Sequence, residues 1–119
     1  MPSEHDPAAC LRDILDNIAR IDTYLAGQDR TALEATGQAR GATERCLERI
    51  CEAAFRLGDR AGDLLPGQPW PDIRDLGNWL RHAYDRIRLD VIWDTVQNDL
   101  PNLKADTETA LARMETPAR

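Results

Sequence analysis

Leu47-Glu48-Arg49-Ile50-Cys51-Glu52-Ala53-Ala54-Phe55-Arg56-Leu57 is the stretch that decides the fold. Leu47, Ile50, Ala54 and Leu57 recur at three- and four-residue spacing, and Ala61 continues the row. That is the period of one helical face rather than the alternation of a strand. Upstream, Ala32, Ala35, Ala39, Ala42 and Cys46 form a second row at the same spacing, built of small side chains. A helix with one face of large apolar residues and another of small ones packs on two sides. The pattern therefore predicts a long central helix over about Thr31 to Asp63. Gly37 and Gly41 weaken its first half by roughly 1 kcal/mol each relative to alanine, and a kink or break is expected there.

The same periodicity extends outward in both directions. A first helix is expected from about Pro7 to Ala26, with Pro7 in its first turn, Gly27 at its end, and Leu11, Ile14, Leu15, Ile18, Ile21 and Leu25 in one stripe. Pro66, Gly67, Pro69 and Pro71 end the central helix and supply one clear loop. A third helix starts near Pro71 with Ile73, Leu76, Leu80 and Ala83 inward. A fourth, from about Asp90 to Asp99, buries Ile92, Trp93, Val96 and Leu100. Pro101 interrupts it and opens a fifth, with Leu103, Leu111 and Met114 inward. The expected fold is all-α: a compact bundle of four to five helices, residues 1–119 forming one domain.

Composition narrows the function classes. The chain has 119 residues, 42% hydrophobic and 30% charged, which is too apolar for disorder. Aromatics are only 5%, so aliphatic and alanine packing fills the core. The net charge of −6 speaks against bulk binding of nucleic acid or anionic membrane, while leaving room for a local basic patch. Residues 1–7 lack the basic-then-apolar layout of a signal peptide, and no apolar run is long enough to span a bilayer. A cytoplasmic protein with no membrane partner is expected. Cys10, Cys46 and Cys51 form no CxxC or Cys/His cluster, so they are expected to be buried reduced thiols, with no metal site and no cofactor.

The chemistry-bearing segment is Gly77-Asn78-Trp79-Leu80-Arg81-His82-Ala83-Tyr84. Asn78 and His82 are four apart and share one polar face of the third helix, away from Ile73, Leu76 and Leu80. Arg74, Arg81, Arg86 and Arg88 gather around them in an otherwise acidic chain. Imidazole moves protons near neutral pH, and guanidinium stabilises charge developing on a phosphoryl oxygen, so the set suits phosphate chemistry. A solvated helix face has the same residue pattern, and both readings stand on the residues alone. Glu52 and Arg56 read as an i,i+4 pair on a solvated face, or as a brace for the active-site helix. Trp79 and Trp93 read as core or dimer-interface residues, and His5 as part of a frayed terminus.

From about Ala39 to Leu103 the chain resembles the HepT family within the HEPN superfamily. Arg49-Ile50-Cys51-Glu52-Ala53-Ala54 is similar to the family's mid-helix signature. Pro69-Trp70-Pro71-Asp72-Ile73 is similar to its lead into the catalytic helix. His82-Ala83-Tyr84-Asp85, then Val91-Ile92-Trp93 and Asp99-Leu100-Pro101-Asn102-Leu103, are similar to its HxY motif and the segments downstream. The resemblance implies a helical homodimer that acts as the toxin of a two-gene toxin–antitoxin module, a metal-independent ribonuclease with RNA as substrate. It implies that His82 is the acid/base, with Asn78 and Arg81 in the catalytic set and Arg74 and Arg86 as phosphate contacts. It also implies that a minimal nucleotidyltransferase antitoxin transfers AMP from ATP to Tyr84. In one respect the chain departs from the family. Five residues before His82, where the family carries an arginine, stands Gly77, and Arg81 points about 100° away around the helix from His82. The alternative that follows is a catalytically weak or inactive HEPN protein that still binds a nucleotidyltransferase.

Overall fold

The computed structural model of the chain describes residues 6–35, 37–82 and 85–115, with the backbone alone at 35, 37, 81, 82 and 85–88. The elements are α1 (Pro7–Tyr24), α2 (Thr31–Ala35), α3 (Gly37–Leu57), α4 (Arg60–Leu64), α5 (Trp70–His82), α6 (Asp85–Asp94), a π turn (Thr95–Asp99) and α7 (Leu100–Glu115). The described residues contain no strand, so the all-α expectation holds. No helix among them is long and apolar enough to cross a membrane.

Local chemistry sets the ends of α1. The Asp6 carboxylate accepts from the Ala8 N–H at 3.3 Å, and Pro7 occupies the first turn, where its missing N–H costs nothing. Gly27, at φ +66°, turns the chain beyond the C-terminal end. Asp29 then caps α2 by accepting from the Thr31 N–H at 2.9 Å and from its hydroxyl, bonds that hold the Asp29 carboxyl below its ordinary range.

The central helix expected from Thr31 to Asp63 is divided. The segment α2 stands apart from α3 and packs against it, and Thr36 between them lies outside the described residues. At the other end α3 stops at Leu57 because Gly58 adopts φ +57°, and its N–H bonds back to the carbonyls of Ala54 and Phe55. The short α4 follows, still burying Ala61. What remains of the central helix is packed on two sides as expected, by α1 and by α5. Leu47, Ile50, Ala54 and Leu57 are all buried. So are Cys10, Cys46 and Cys51, none of them in a disulfide.

The last expected boundary also differs. Pro101 does not interrupt the helix. The π turn precedes it, with the Leu100 N–H reaching five residues back to the Thr95 carbonyl, and α6 runs on into α7. The wider turn lies where a proline would otherwise leave an α-helical carbonyl without its donor and clash with it. Ile92, Val96, Leu100, Leu103 and Leu111 are buried as expected. Met114 is not: it is 39% exposed, because α7 buries nothing beyond Leu111. Ala83 lies outside the described residues.

The loop before α5 is held by Trp70, which is 4% exposed and donates its indole N–H to the Leu65 carbonyl at 2.8 Å. That single bond ties the start of α5 to the end of the α4 segment. Trp70→Phe removes the indole donor and leaves the Leu65 carbonyl with only the longer bond from the Gln68 N–H at 3.3 Å. The expected loss is about 1–3 kcal/mol in urea denaturation, and an unchanged midpoint would show that the bond contributes nothing.

Candidate active site

Gly77 sets the direction of α5. It is buried at the crossing with α3, and a Cβ built on it would lie 3.4 Å from the Cβ of Cys51 and 3.9 Å from its sulfur. Leu80, one turn along, is 3% exposed, and Ile73, Leu76 and Trp79 pack half-buried against the core. With this seam turned toward α3, Asn78 is exposed on the outer face. Position 82, one turn later and the last residue of α5, shares that face by its spacing. The side chains of Arg81, His82 and Arg86, together with Tyr84 as a whole, lie outside the described residues.

The Cys51 thiol sits in the seam beside the Gly77 backbone. Burial pushes it up to about 11, against the lowering effect of a hydrogen bond from Gly77. At neutral pH it is a protonated packing group, consistent with the reading of buried reduced thiols. Burial likewise raises the thiols of Cys10 and Cys46.

Two expected site residues are engaged elsewhere. Arg74 is half-buried, and its guanidinium donates to the Gly58 carbonyl at 2.5 Å. It therefore satisfies the C-terminal end of α3, where a cation also suits the helix dipole, rather than standing free for phosphate. Arg56 does not pair with Glu52. It bridges to Asp13 on α1 at 3.1 Å, leaving Glu52 exposed. A cross-helix carboxylate displaced the i,i+4 partner, which sequence spacing could not reveal.

The other flank of α5 was not anticipated. Between α5 and the α6–π turn–α7 stretch lies a groove of about 710 Å³. Leu47 and Ile50 of α3 contribute to its lining, as do Ile73 and Leu76 of α5 and Leu100 and Leu103 of α7. Asp72, Asp94, Asp99 and Asp106 also line it, and among the described residues no lysine or arginine does. Positions 72 and 76 lie roughly 120° around α5 from 78 and 82, so the groove and the Asn78 face are separate surfaces. Among the described residues, no three His, Cys, Asp or Glu side chains converge as a metal site.

The structure is a helical bundle in which α5, carrying the exposed Asn78, crosses α3 at Gly77. The chain belongs to the ribonuclease HepT-like family, whose model matches residues 14–110. It is 29% identical over 106 residues to "Putative RNase MJ1380" of Methanocaldococcus jannaschii, covering 89% of this chain and 97% of that one. It is 30% identical over 115 residues to "Putative RNase MJ0127" of the same organism, covering 97% and 94%. Over a shorter stretch of 64 residues it is 36% identical to "Probable ribonuclease HepT" of Thermococcus cleftensis, covering 54% of this chain and 58% of that one. No solved structure matches the chain.

The seam can be tested directly. Gly77 has an ordinary helical backbone, and the added Cβ would make van der Waals contact with Cys51. Gly77→Ala should therefore stabilise the fold by about 0.5–1 kcal/mol through the entropy lost by the unfolded chain. A lowered melting temperature would instead mean that α3 and α5 cannot separate by the few tenths of an ångström required.

Proposed function

We propose that this chain is the toxin of a two-component toxin–antitoxin module, a homodimeric metal-independent endoribonuclease silenced by AMP transfer to Tyr84. The observation that carries the reading is membership of the ribonuclease HepT-like family. It is joined to a histidine one turn after the exposed Asn78, at the end of α5. In the proposed reaction the His82 imidazole takes the proton of an RNA 2′-hydroxyl. The 2′-oxygen attacks the adjacent phosphorus, the bond from phosphorus to the 5′-oxygen breaks, that oxygen leaves with a proton from water, and the imidazolium gives its proton back to solvent. The products are a 2′,3′-cyclic phosphate and a free 5′-hydroxyl. Asn78 positions the phosphate, and Arg81 and Arg86 supply charge. Requiring a 2′-hydroxyl selects RNA over DNA.

One observation favours a second reading. Gly77 fills the seam where the family carries an arginine, and it packs on Cys51. In that reading the chain is a weak or inactive partner that keeps the bundle and the nucleotidyltransferase-binding surface. Cleavage assays separate the two. Purified chain should cut single-stranded RNA in excess EDTA and leave cyclic phosphate ends, and His82→Ala should abolish the activity. Gly77→Arg should raise it. Undiminished cutting by His82→Ala would sink the mechanism, and no cutting by wild type with cutting by Gly77→Arg would establish the second reading.

Silencing follows from placing a charge beside the same face. A phenol is a weak nucleophile at neutral pH, so an enzyme must activate Tyr84 and present ATP. The phenolic oxygen would form a bond to the α-phosphorus, and pyrophosphate would leave. The attached AMP brings a phosphodiester negative charge and a bulky adenosine two residues from His82, opposing RNA by repulsion and by occupancy. Co-expression with a minimal nucleotidyltransferase antitoxin should add AMP-sized mass to the Tyr84 peptide, and Tyr84→Phe should lose it. AMP only on another residue, or none with an active bound partner, defeats this part of the proposal.

A further inference from the structure

We propose that the groove between α5 and the α6–π turn–α7 stretch is a docking site for a cationic amphipathic helix of a partner protein. The proposal concerns a surface distinct from the Asn78 face and does not depend on the ribonuclease reading. The groove has the two properties such an occupant needs. Its floor is apolar: Leu47, Ile50, Leu100 and Leu103 are buried at its base, and the half-buried Ile73 and Leu76 form one wall. Among the described residues its charge is of one sign, from Asp72, Asp94, Asp99 and Asp106.

Those carboxylates are not compensated within the described part of the molecule. Asp106 accepts from the Gln68 amide at 2.7 Å and Asp94 from the Asn98 amide at 2.6 Å, both neutral donors. None of the four pairs with an arginine or lysine among the described residues, whereas Asp13 and Asp90 elsewhere do. The Asp99 carboxyl is held above its ordinary range, first by burial and then by neighbouring Asp94. A cation entering beside it would relieve both effects. The π turn that carries Asp99 into the groove is a rare geometry, frequent at functional sites.

The chemistry discriminates among occupants. RNA and anionic lipid are repelled by four carboxylates at close range. An uncharged apolar ligand would bury those carboxylates without a counter-charge, which is costly. An extended peptide adding to a sheet has no edge strand to join among the described residues. A helix laid in the groove uses anchors at i, i+3, i+4 and i+7 against the apolar floor, and its flanking lysines and arginines meet the rim. A second copy of this chain would bring its own net charge of −6 and the same acidic rim.

The test uses the full chain and a fluorescein-labelled 18-residue leucine/lysine peptide with helical periodicity, followed by anisotropy. A scrambled peptide of identical composition serves as control. The periodic peptide should bind at least tenfold more tightly than the scrambled one. Asp94→Lys/Asp99→Lys should weaken its binding at least tenfold, and Asp16→Lys/Asp22→Lys, an equal charge change on exposed positions of α1, should weaken it less than threefold. Equal binding of the two peptides, or equal loss in the two double variants, would reduce the effect to net charge and overturn the proposal. So would light scattering in which wild type is a dimer and Asp94→Lys/Asp99→Lys a monomer, since a second copy would then occupy the groove.

Discussion

The close approach of α3 and α5 at Cys51 and Gly77 governs how the rest of the surface is presented. A Cβ at position 77 would reach ordinary contact distance from Cys51, so the seam is about as narrow as a side-chain-bearing helix crossing allows. Fixing that one face of α5 fixes the others, because each residue is offset by about 100°. Gly77 and Leu80 face α3, Asp72 and Leu76 face the groove, and Asn78 is exposed on the outer side. The Trp70–Leu65 hydrogen bond prevents the start of the helix from rolling. The Arg74–Gly58 bond does the same one turn further on, while also capping α3. A small number of contacts thus sets three surfaces of different chemistry on one 13-residue helix.

Opposite electrostatic demands on two sides of α5 are compatible because of distance and screening. The groove carries four carboxylates, and phosphate chemistry on the Asn78 face requires the reverse sign. A helix with its side chains is about 10–12 Å across. The Debye length at physiological ionic strength is about 8 Å, so the groove's field is strongly attenuated on the far side of the helix. The overall charge of −6 therefore disfavours non-specific association with nucleic acid without forbidding a local phosphate site. It also makes such a site sensitive to the placement of each arginine. Arg74 and Arg56 are already spent on a helix end and on Asp13.

Much of the bundle was legible because burial leaves a periodic trace. The large-residue stripes of α1 and α3 fell on buried residues almost throughout. Of the small row's described side chains only Cys46 is buried, and in the α6–α7 region Trp93 is half-buried and Met114 exposed. What failed to show was of two kinds. Backbone features gave weak signals: the periodic rows ran through Gly58 to Ala61, and only the positive φ of Gly58 makes it the end of α3. Pro101 looked like an interruption because a π turn leaves no compositional mark. Pairings between helices gave none, so Arg56 was matched to Glu52 instead of Asp13, and the bond of Arg74 to the Gly58 carbonyl was not foreseen. The exposure of Asn78 was legible through its spacing from the apolar residues of α5. The groove was not, since its carboxylates at 72, 94, 99 and 106 follow no period and meet only when α5 and α7 are folded together on α3.

The geometry of position 77 bears on how catalysis could work without the family's arginine. Positions 77 and 82 are five apart, so they diverge by roughly 140° around the helix. An arginine at 77 would leave from the α3 seam, a different side of the helix from position 82. The two are not a single preformed clamp but independent groups brought to one phosphate from different directions. Their contributions are separable in kind: proton transfer is worth about 10²–10⁴-fold in rate, and a preorganised charge on the developing oxyanion about 10²–10³-fold. On the proposed mechanism, replacing that arginine with Gly77 removes a term of the second kind and leaves the first intact. A cation on the same chain at 81 or 86, or on a facing copy, could restore part of it, because electrostatic stabilisation depends on where charge sits and not on which residue carries it. Gly77 in this view trades transition-state charge for a tighter seam, and the histidine keeps a function only if some other guanidinium reaches the phosphate it serves.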